Sequence, residues 1–395
     1  MGFRFLVWME FLMKRIITYI LMFCMAAAVL SCSPTFRKFK YVDNAPREWS
    51  MFRNSLDGYY QEGVYGAEIR SLKWKADLKA KSYSTPVATE SYVAVGALDS
   101  YLYFFDLESG ERINIYKFKS PLSESPMISN KIIYAATGPD KNYLAGLNLI
   151  TGKYVFKEEM TDVSSPIIAD DKSIYIGDYT GRFVCLDKYV GKIFWEFQTD
   201  GPIMNAPAIK DGRVFVGSLD GKLYAFDAGS GDLLWSHNLG SAVMTAPAAD
   251  TLVYVGAFDG SIHALRADDG SPVWSFETGG HVLSSPVIDD DFLYIGSNDK
   301  HFYCLDKKNG AEIWSHKTDG IINSTPLVME DAALITSGDG KLYLLDKMSG
   351  GLIFSYETEN QIKSSPIYFN GNIFVSSLDQ HLYCFSKESP KSAKK

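Results

Sequence analysis

The chain is short of cysteine and of positive charge, and each shortage removes a class of function. Five cysteines occur in 395 residues, and none has the Cys-x-x-Cys or Cys–His spacing of a zinc site. Cys24 lies in an N-terminal apolar stretch. Cys185, Cys304 and Cys384 share one position of a repeated strand, in Phe183-Val-Cys-Leu-Asp187, Phe302-Tyr-Cys-Leu-Asp306 and Leu382-Tyr-Cys-Phe-Ser386. Ala225 and Ala264 hold that position elsewhere, so these cysteines read as small buried strand residues. Three cannot all pair within one chain. Lys and Arg number 39 against 47 Asp and Glu, a formal net charge of -8; a surface that grips phosphates needs excess positive charge, so nucleic acid is not an expected partner. No G-x-S-x-G, Walker A or H-E-x-x-H motif is present, and the histidines at 237, 263, 281, 301, 316 and 381 form no metal-spaced pair. These absences predict no catalytic residues, no metal and no cofactor. Also lacking between residues 66 and 386 is any sustained 3.6-residue apolar period, so helices are not expected there.

What is present is a core-forming composition. The chain is 46% hydrophobic and 14% aromatic, which excludes a disordered or collagen-like chain. Its 24 Tyr, 24 Phe and 7 Trp, against 32 Gly and 15 Pro, favour many short strands. Length alone suggests two or three domains at ~150 residues each, but internal repetition replaces that count. A Pro preceded by Ser, Thr or Ala recurs at 86, 126, 166, 207, 247, 286, 326 and 366. In phase with it run Trp74, Asn114, Phe156, Trp195, Trp235, Trp274, Trp314 and Phe354, and a Gly precedes these by four residues from Gly110 to Gly350.

One unit shows the anatomy. Asn205–Lys210, Arg213–Ser218, Lys222–Asp227 and Leu233–His237 are four short runs, the middle two apolar or alternating, separated by turn residues. Asp-Gly pairs at 211, 220, 259 and 339 are tight-turn signals, since Gly accepts a positive φ without a Cβ clash. Asp106, Asp187, Asp227, Asp306 and Asp346 precede the turn to the fourth run, where Asp caps turns; a residue repeated in so many units is structural. Four-stranded units of ~40 residues are the mark of a β-propeller. The spacing therefore predicts an all-β fold: an eight-bladed β-propeller of four-stranded antiparallel blades. The last unit ends after His381–Ser386 without a fourth strand, while Leu72–Leu78 is an orphan Trp-bearing strand at the start. It fits as the outer strand that completes the last blade and closes the ring. The Trp-type residue is expected to dock between neighbouring blades.

The start is an address. Lys14 and Arg15 precede Ile16–Leu30, an uncharged apolar run of 15 residues, and small residues lead to Cys32. The run is too short for a comfortable membrane span and reads as a secretory signal, with Met13 an alternative start. Val29-Leu30-Ser31-Cys32 resembles a bacterial lipobox, which implies lipidation of Cys32 as the first mature residue and a membrane anchor of several acyl chains. Ser33, not Asp, follows Cys32, which by the same resemblance implies the outer membrane, facing the periplasm. The chain thus divides into a signal at 1–31, a lipidated tether and lead-in at 32–65, the propeller at 66–388, and a basic tail at 389–395.

The repeat P-x₃–₄-G-x-(V/I)-(Y/F)-(V/I)-G-S-x-D-G-x-(L/F)-Y-A-(L/F)-D-x₂-(S/T)-G-x₃-W resembles the PQQ-type propeller repeat over about 320 residues, and Trp49-Ser-Met-Phe-Arg53 followed by Gly58 resembles the lead-in of that superfamily. Two classes share the repeat: quinoprotein dehydrogenases, and non-enzymatic scaffolds such as the BamB family of outer-membrane assembly lipoproteins. The dehydrogenases carry an adjacent Cys-Cys pair, absent here. The resemblance therefore implies a scaffold with no enzyme activity: a monomeric, lipid-anchored propeller that binds a BamA-type barrel subunit or another envelope protein during barrel assembly. Alternatives are a PQQ-repeat lipoprotein that binds glycan, peptide or other protein, or a PQQ-dependent dehydrogenase. The contact motifs of the scaffold family, Leu-x-Leu-Arg and Asp-x-Asp, do not occur at the matching places, so no residue is carried over from them. Loops carry function while blades carry stability. The loops entering each Pro strand supply Met204, Met244, Leu283 and Ile322 in consecutive blades, and these are the candidate partner-binding residues; adaptable Met surfaces suit a variable partner.

Overall fold

The computed structural model describes residues 48–387 apart from 62, 123 and 139–141, and of Trp49 the backbone only. The signal, Cys32, the tether before Glu48 and the tail after Lys387 lie outside the described residues. Eight antiparallel sheets follow one another along the chain, and in seven of them the strands lie in sequence order. Blade 4 shows the pattern: an inner strand Ala208–Lys210, two middle strands Arg213–Gly217 and Lys222–Asp227, and an outer strand Leu233–Asn238. Asp211 and Gly212 both take positive φ, 48° and 73°, at the first hairpin. The middle strands are buried almost throughout, while the outer strand alternates exposed and half-buried residues. That follows from stacking: neighbouring blades cover both faces of the middle strands, and the outer strand meets solvent. The one helical turn among the described residues is a 3-10 turn at Phe52–Asn54.

The ring closes as the sequence predicts. Ser71–Asp77 pairs antiparallel with His381–Ser386, and Asn372–Ser377 and Ile367–Phe369 complete that blade. The first-blade and last-blade cores merge into one cluster with Leu327 and Leu334 of blade 7.

Blade-to-blade contact rests on the Trp-type residue. The Trp235 indole packs on Gly270 of the next blade, where an added Cβ would lie 2.5 Å from the ring. Its Nε1–H donates to the Ala267 carbonyl at 3.0 Å. Trp74, Trp195, Trp274 and Trp314 donate in the same way to Leu107, Ala228, Lys307 and Lys347. Phe354 instead meets Phe385 at 6.3 Å, because the last blade has no covalent turn from third to fourth strand to receive an indole. The Asp residues before these turns do cap them: Asp227 Oδ1 accepts the Gly229 and Ser230 N–H groups at 3.0 and 2.8 Å.

Candidate functional site

The inner strands surround a central channel whose wall is built in tiers by the residues before each Pro. Four residues before it stand Ile203, Val243, Val282 and Ile322, all buried, each beneath its loop and against the preceding blade. A Cβ on Gly217 would lie 2.2 Å from Val243, and one on Gly296 would lie 2.2 Å from Ile322, so these glycines admit the apolar plugs. Three residues before Pro come Met204, Met244, Leu283 and Asn323, all half-buried at the mouth. Of the four candidate partner residues, Met204, Met244 and Leu283 therefore share this position and Ile322 does not. Ile322, at 0% exposure, lies one position out of register with the others and serves the ring interior; Asn323 takes the mouth position in its blade. Counted from Pro326, Ile322 is the counterpart of Ile203, Val243 and Val282, not of Met204, Met244 and Leu283. Lys363 and Tyr83 continue the mouth in blades 8 and 1, with Lys363 Nζ 5.5 Å from the Tyr83 ring centre. The mouth is thus apolar over blades 4 to 6, polar at Asn323 and Lys363, and aromatic at Tyr83.

Below it lie two tiers of small polar residues. Ser164 Oγ and Ser284 Oγ donate across to the Ile203 and Ser324 carbonyls at 2.8 and 2.7 Å. In the next tier the Thr85, Thr325 and Ala246 N–H groups donate to Ser125, Ser365 and Ser285 Oγ at 3.0, 3.0 and 2.9 Å. By register Glu124 stands in the upper of these tiers, and burial pushes its carboxyl up to about 7.

The opposite end of the channel is closed by the lead-in, whose resemblance to other lead-ins carried no hint of this role. Glu48–Trp49 adds to the inner edge of blade 1. The carbonyls of Ser50, Leu56, Asp57 and Gly58 then accept N–H groups from Ile128, Ile209, Ala249 and Ile288, and Gln61 N–H donates to Val328 O at 3.0 Å. Each of these inner-strand partners stands two residues after its Pro. One segment thereby stitches blades 1, 2, 4, 5, 6 and 7. Phe52 packs with Ile168, Ala206 and Ala246. Arg53, at φ 62°, turns its side chain into the channel and is 7% exposed. Around the same end Lys347 Nζ meets Asp289 Oδ2 at 2.8 Å, Lys307 Nζ meets Asp250 Oδ2 at 2.9 Å, and Lys210 Nζ meets Asp57 Oδ2 at 3.0 Å.

Cys185, Cys304 and Cys384 are buried and unpaired, at equivalent places in blades 3, 6 and 8. Burial pushes the Cys185 thiol up to about 11 and the Cys304 thiol up to about 12, away from nucleophilic use.

The family described as outer membrane protein assembly factor BamB matches this sequence at residues 140–250, 238–327 and 303–392, more than half of the chain. The chain belongs to the BamB family. A curated BamB of Kangiella koreensis is 26% identical over 130 residues, 30% of this chain and 33% of that protein, so the match spans about a third of its length. The crystal structure of BamB from Moraxella catarrhalis superposes with a TM-score of 0.56 at 16% identity, over 75% of this chain and 82% of that one. A quinohemoprotein alcohol dehydrogenase from Comamonas testosteroni superposes with a TM-score of 0.72 at 11% identity, over 88% and 82%. The computationally designed Ika8 protein does so with 0.71 at 16% identity, over 80% and 99%. At these identities the structural matches speak for the propeller fold alone. Membership of the BamB family rests on the repeats of blades 2 to 8.

Proposed function

We propose that this chain is a non-enzymatic envelope lipoprotein of BamB type. In this reading it is anchored through Cys32 in the outer membrane facing the periplasm, and it binds protein partners during assembly of outer-membrane β-barrels. The observation that carries the reading is the family match across three overlapping windows of the ring. The mouth supports it: Met204, Met244 and Leu283 offer a half-buried apolar arc beside a polar one, suited to an extended or variable segment. Among the described residues no three His, Cys, Asp or Glu side chains converge as a metal site would require.

Affinity capture from detergent-solubilised envelope tests the proposal. A BamA-type barrel subunit should be recovered by the parent chain and lost on Met204→Glu plus Met244→Glu; recovery of unrelated partners only would overturn the assembly role. Cys32→Ala should release the protein from membranes. The PQQ-type repeat, which quinoprotein dehydrogenases share, leaves a second reading, a quinoprotein oxidoreductase. Titration with PQQ and Ca²⁺ decides it: saturable binding with dye-linked alcohol oxidation establishes that reading in place of the scaffold.

A further inference from the structure

The repeat supplies its own control for the turn between third and fourth strands, which lies at the lead-in end of the ring. In blades 1, 4, 5 and 6 the turn tip holds Glu108, Gly229, Asp268 and Lys308, each two residues after its strand. In blades 2 and 3 the tips hold Ile150, Tyr189 and Val190, which are 43%, 41% and 65% exposed. A position that accepts glutamate, glycine, aspartate and lysine needs no apolar side chain for folding. Val155 and Phe194, on the outer strands that leave these turns, are also exposed. Met348 of blade 7 is the remaining apolar tip, and the hairpin beside it carries Glu330 and Asp331.

The tips of blades 2 and 3 form one surface. Leu149 N–H donates to the Lys131 carbonyl at 2.9 Å, which sets Ile150 beside the first hairpin of blade 2. Asn130 Nδ2 in that hairpin donates to Tyr189 Oη at 3.4 Å, and Tyr189 Oη donates to the Asp171 carbonyl at 3.4 Å. Charge separates this surface from the rest of the same end. Lys153, Lys172 and Lys192 are exposed around the apolar tips. Of the acids in these turns, Asp170 and Asp187 accept backbone N–H groups, and only Asp171 is exposed. The hairpins of other blades at this end carry Glu90, Asp211, Asp250, Asp290, Asp291 and Asp331.

Exposed apolar side chains ringed by lysines fit a surface that is acidic outside and apolar within, as an anionic bilayer is. The tether joins the fold at this same end. Glu48 pairs with Thr89 of blade 1, and the Ser50 carbonyl accepts the Ile128 N–H of blade 2. At most about 55 Å of extended chain separates Glu48 from Cys32, so a lipid on Cys32 keeps this end within reach of a membrane.

We infer that the turn tips of blades 2 and 3 are a docking surface for an anionic lipid bilayer. Ile150, Tyr189 and Val190 enter the headgroup region, and Lys153, Lys172 and Lys192 meet lipid phosphates. The inference rests on the proposed anchor at Cys32 for its proximity to lipid, and it leaves the opposite mouth open to a protein partner.

The full chain purified from membranes and reconstituted on vesicles tests it. A fluorophore is attached at Ile150→Cys or, as a reference on the acidic side, at Asp268→Cys; the strand cysteines are buried. On vesicles of equal parts phosphatidylcholine and phosphatidylglycerol, nitroxide-labelled lipid should quench the Ile150 probe several-fold more than the Asp268 probe. Val190→Glu in the same chain should remove most of that difference, and phosphatidylcholine alone or high salt should shrink it. Retention on vesicles with both probes quenched alike would overturn the docking surface and leave the anchor standing. Quenching at Ile150 on anionic vesicles, with no retention on phosphatidylcholine, would defeat the anchor and keep the surface. Retention on neither vesicle would overturn both.

Discussion

Glu124 is the one carboxyl in a channel tier otherwise made of Ser, Thr and Asn, and desolvation alone pushes its pKa up to about 7. A carboxyl whose folded pKa lies above its unfolded value favours the protonated fold. Its contribution is full below the unfolded pKa of ~4.3 and is lost as pH rises through 7. Glu124→Gln should therefore leave stability unchanged at pH 4 and raise it at pH 8 by about 2 kcal/mol, read from urea midpoints at the two pH values; equal effects at both would remove the carboxyl from the wall. Lys347 and Asp289 form a pair buried on both sides, 9% and 7% exposed. Lys347→Met strands the Asp289 carboxylate and should cost about 3 kcal/mol, while adding Asp289→Leu should recover much of it. Neither residue was legible as special in the sequence. A Glu before a Pro and a Lys after a turn look like ordinary loop residues until the ring wraps around them.

The outer strands were the most legible element, because Trp recurs in them in phase. What the phase could not show is the geometry around each Trp. All eight outer strands bulge beside the Trp-type position, whether it holds Trp, Phe or Asn: Ala225 pairs with Trp235 and Phe226 with Leu233, so Leu234 is extra and exposed. The same bulge occurs in the other blades. It re-aims the Trp into the next blade and spoils the outer edge for pairing with another chain. Trp235→Phe keeps the ring on Gly270 but leaves the Ala267 carbonyl without its donor, and should cost about 1 kcal/mol. Trp235→Ala also empties the contact and should cost about 3–5 kcal/mol in chemical denaturation. If the two variants were equally stable, the indole packing would not be what joins blades 4 and 5.

For the whole molecule the decisive strand is Ser71–Asp77, which joins the two ends of the repeat array. Without it the last blade exposes the edge of His381–Ser386, and Gly110 loses the Trp74 ring above it. Deletion of residues 66–78 should abolish cooperative unfolding near the parent midpoint, measured by thermal denaturation followed in the far ultraviolet. A truncated chain that kept the parent midpoint would refute closure by this strand. The lead-in adds a second, inner closure that no blade pattern announces, since Ser50 to Gln61 uses backbone groups rather than a repeated side chain.

Repetition in the sequence determined the fold class, the number of blades, the closing strand and the structural status of the turn aspartates and strand cysteines. Each is a matter of local period and count, and a period of forty residues is visible without coordinates. Tertiary structure alone decided that the lead-in floors the channel and that Arg53 is buried there. These depend on which residues meet across blades a hundred or more positions apart. A backbone carbonyl that caps a distant strand leaves no mark in composition or spacing.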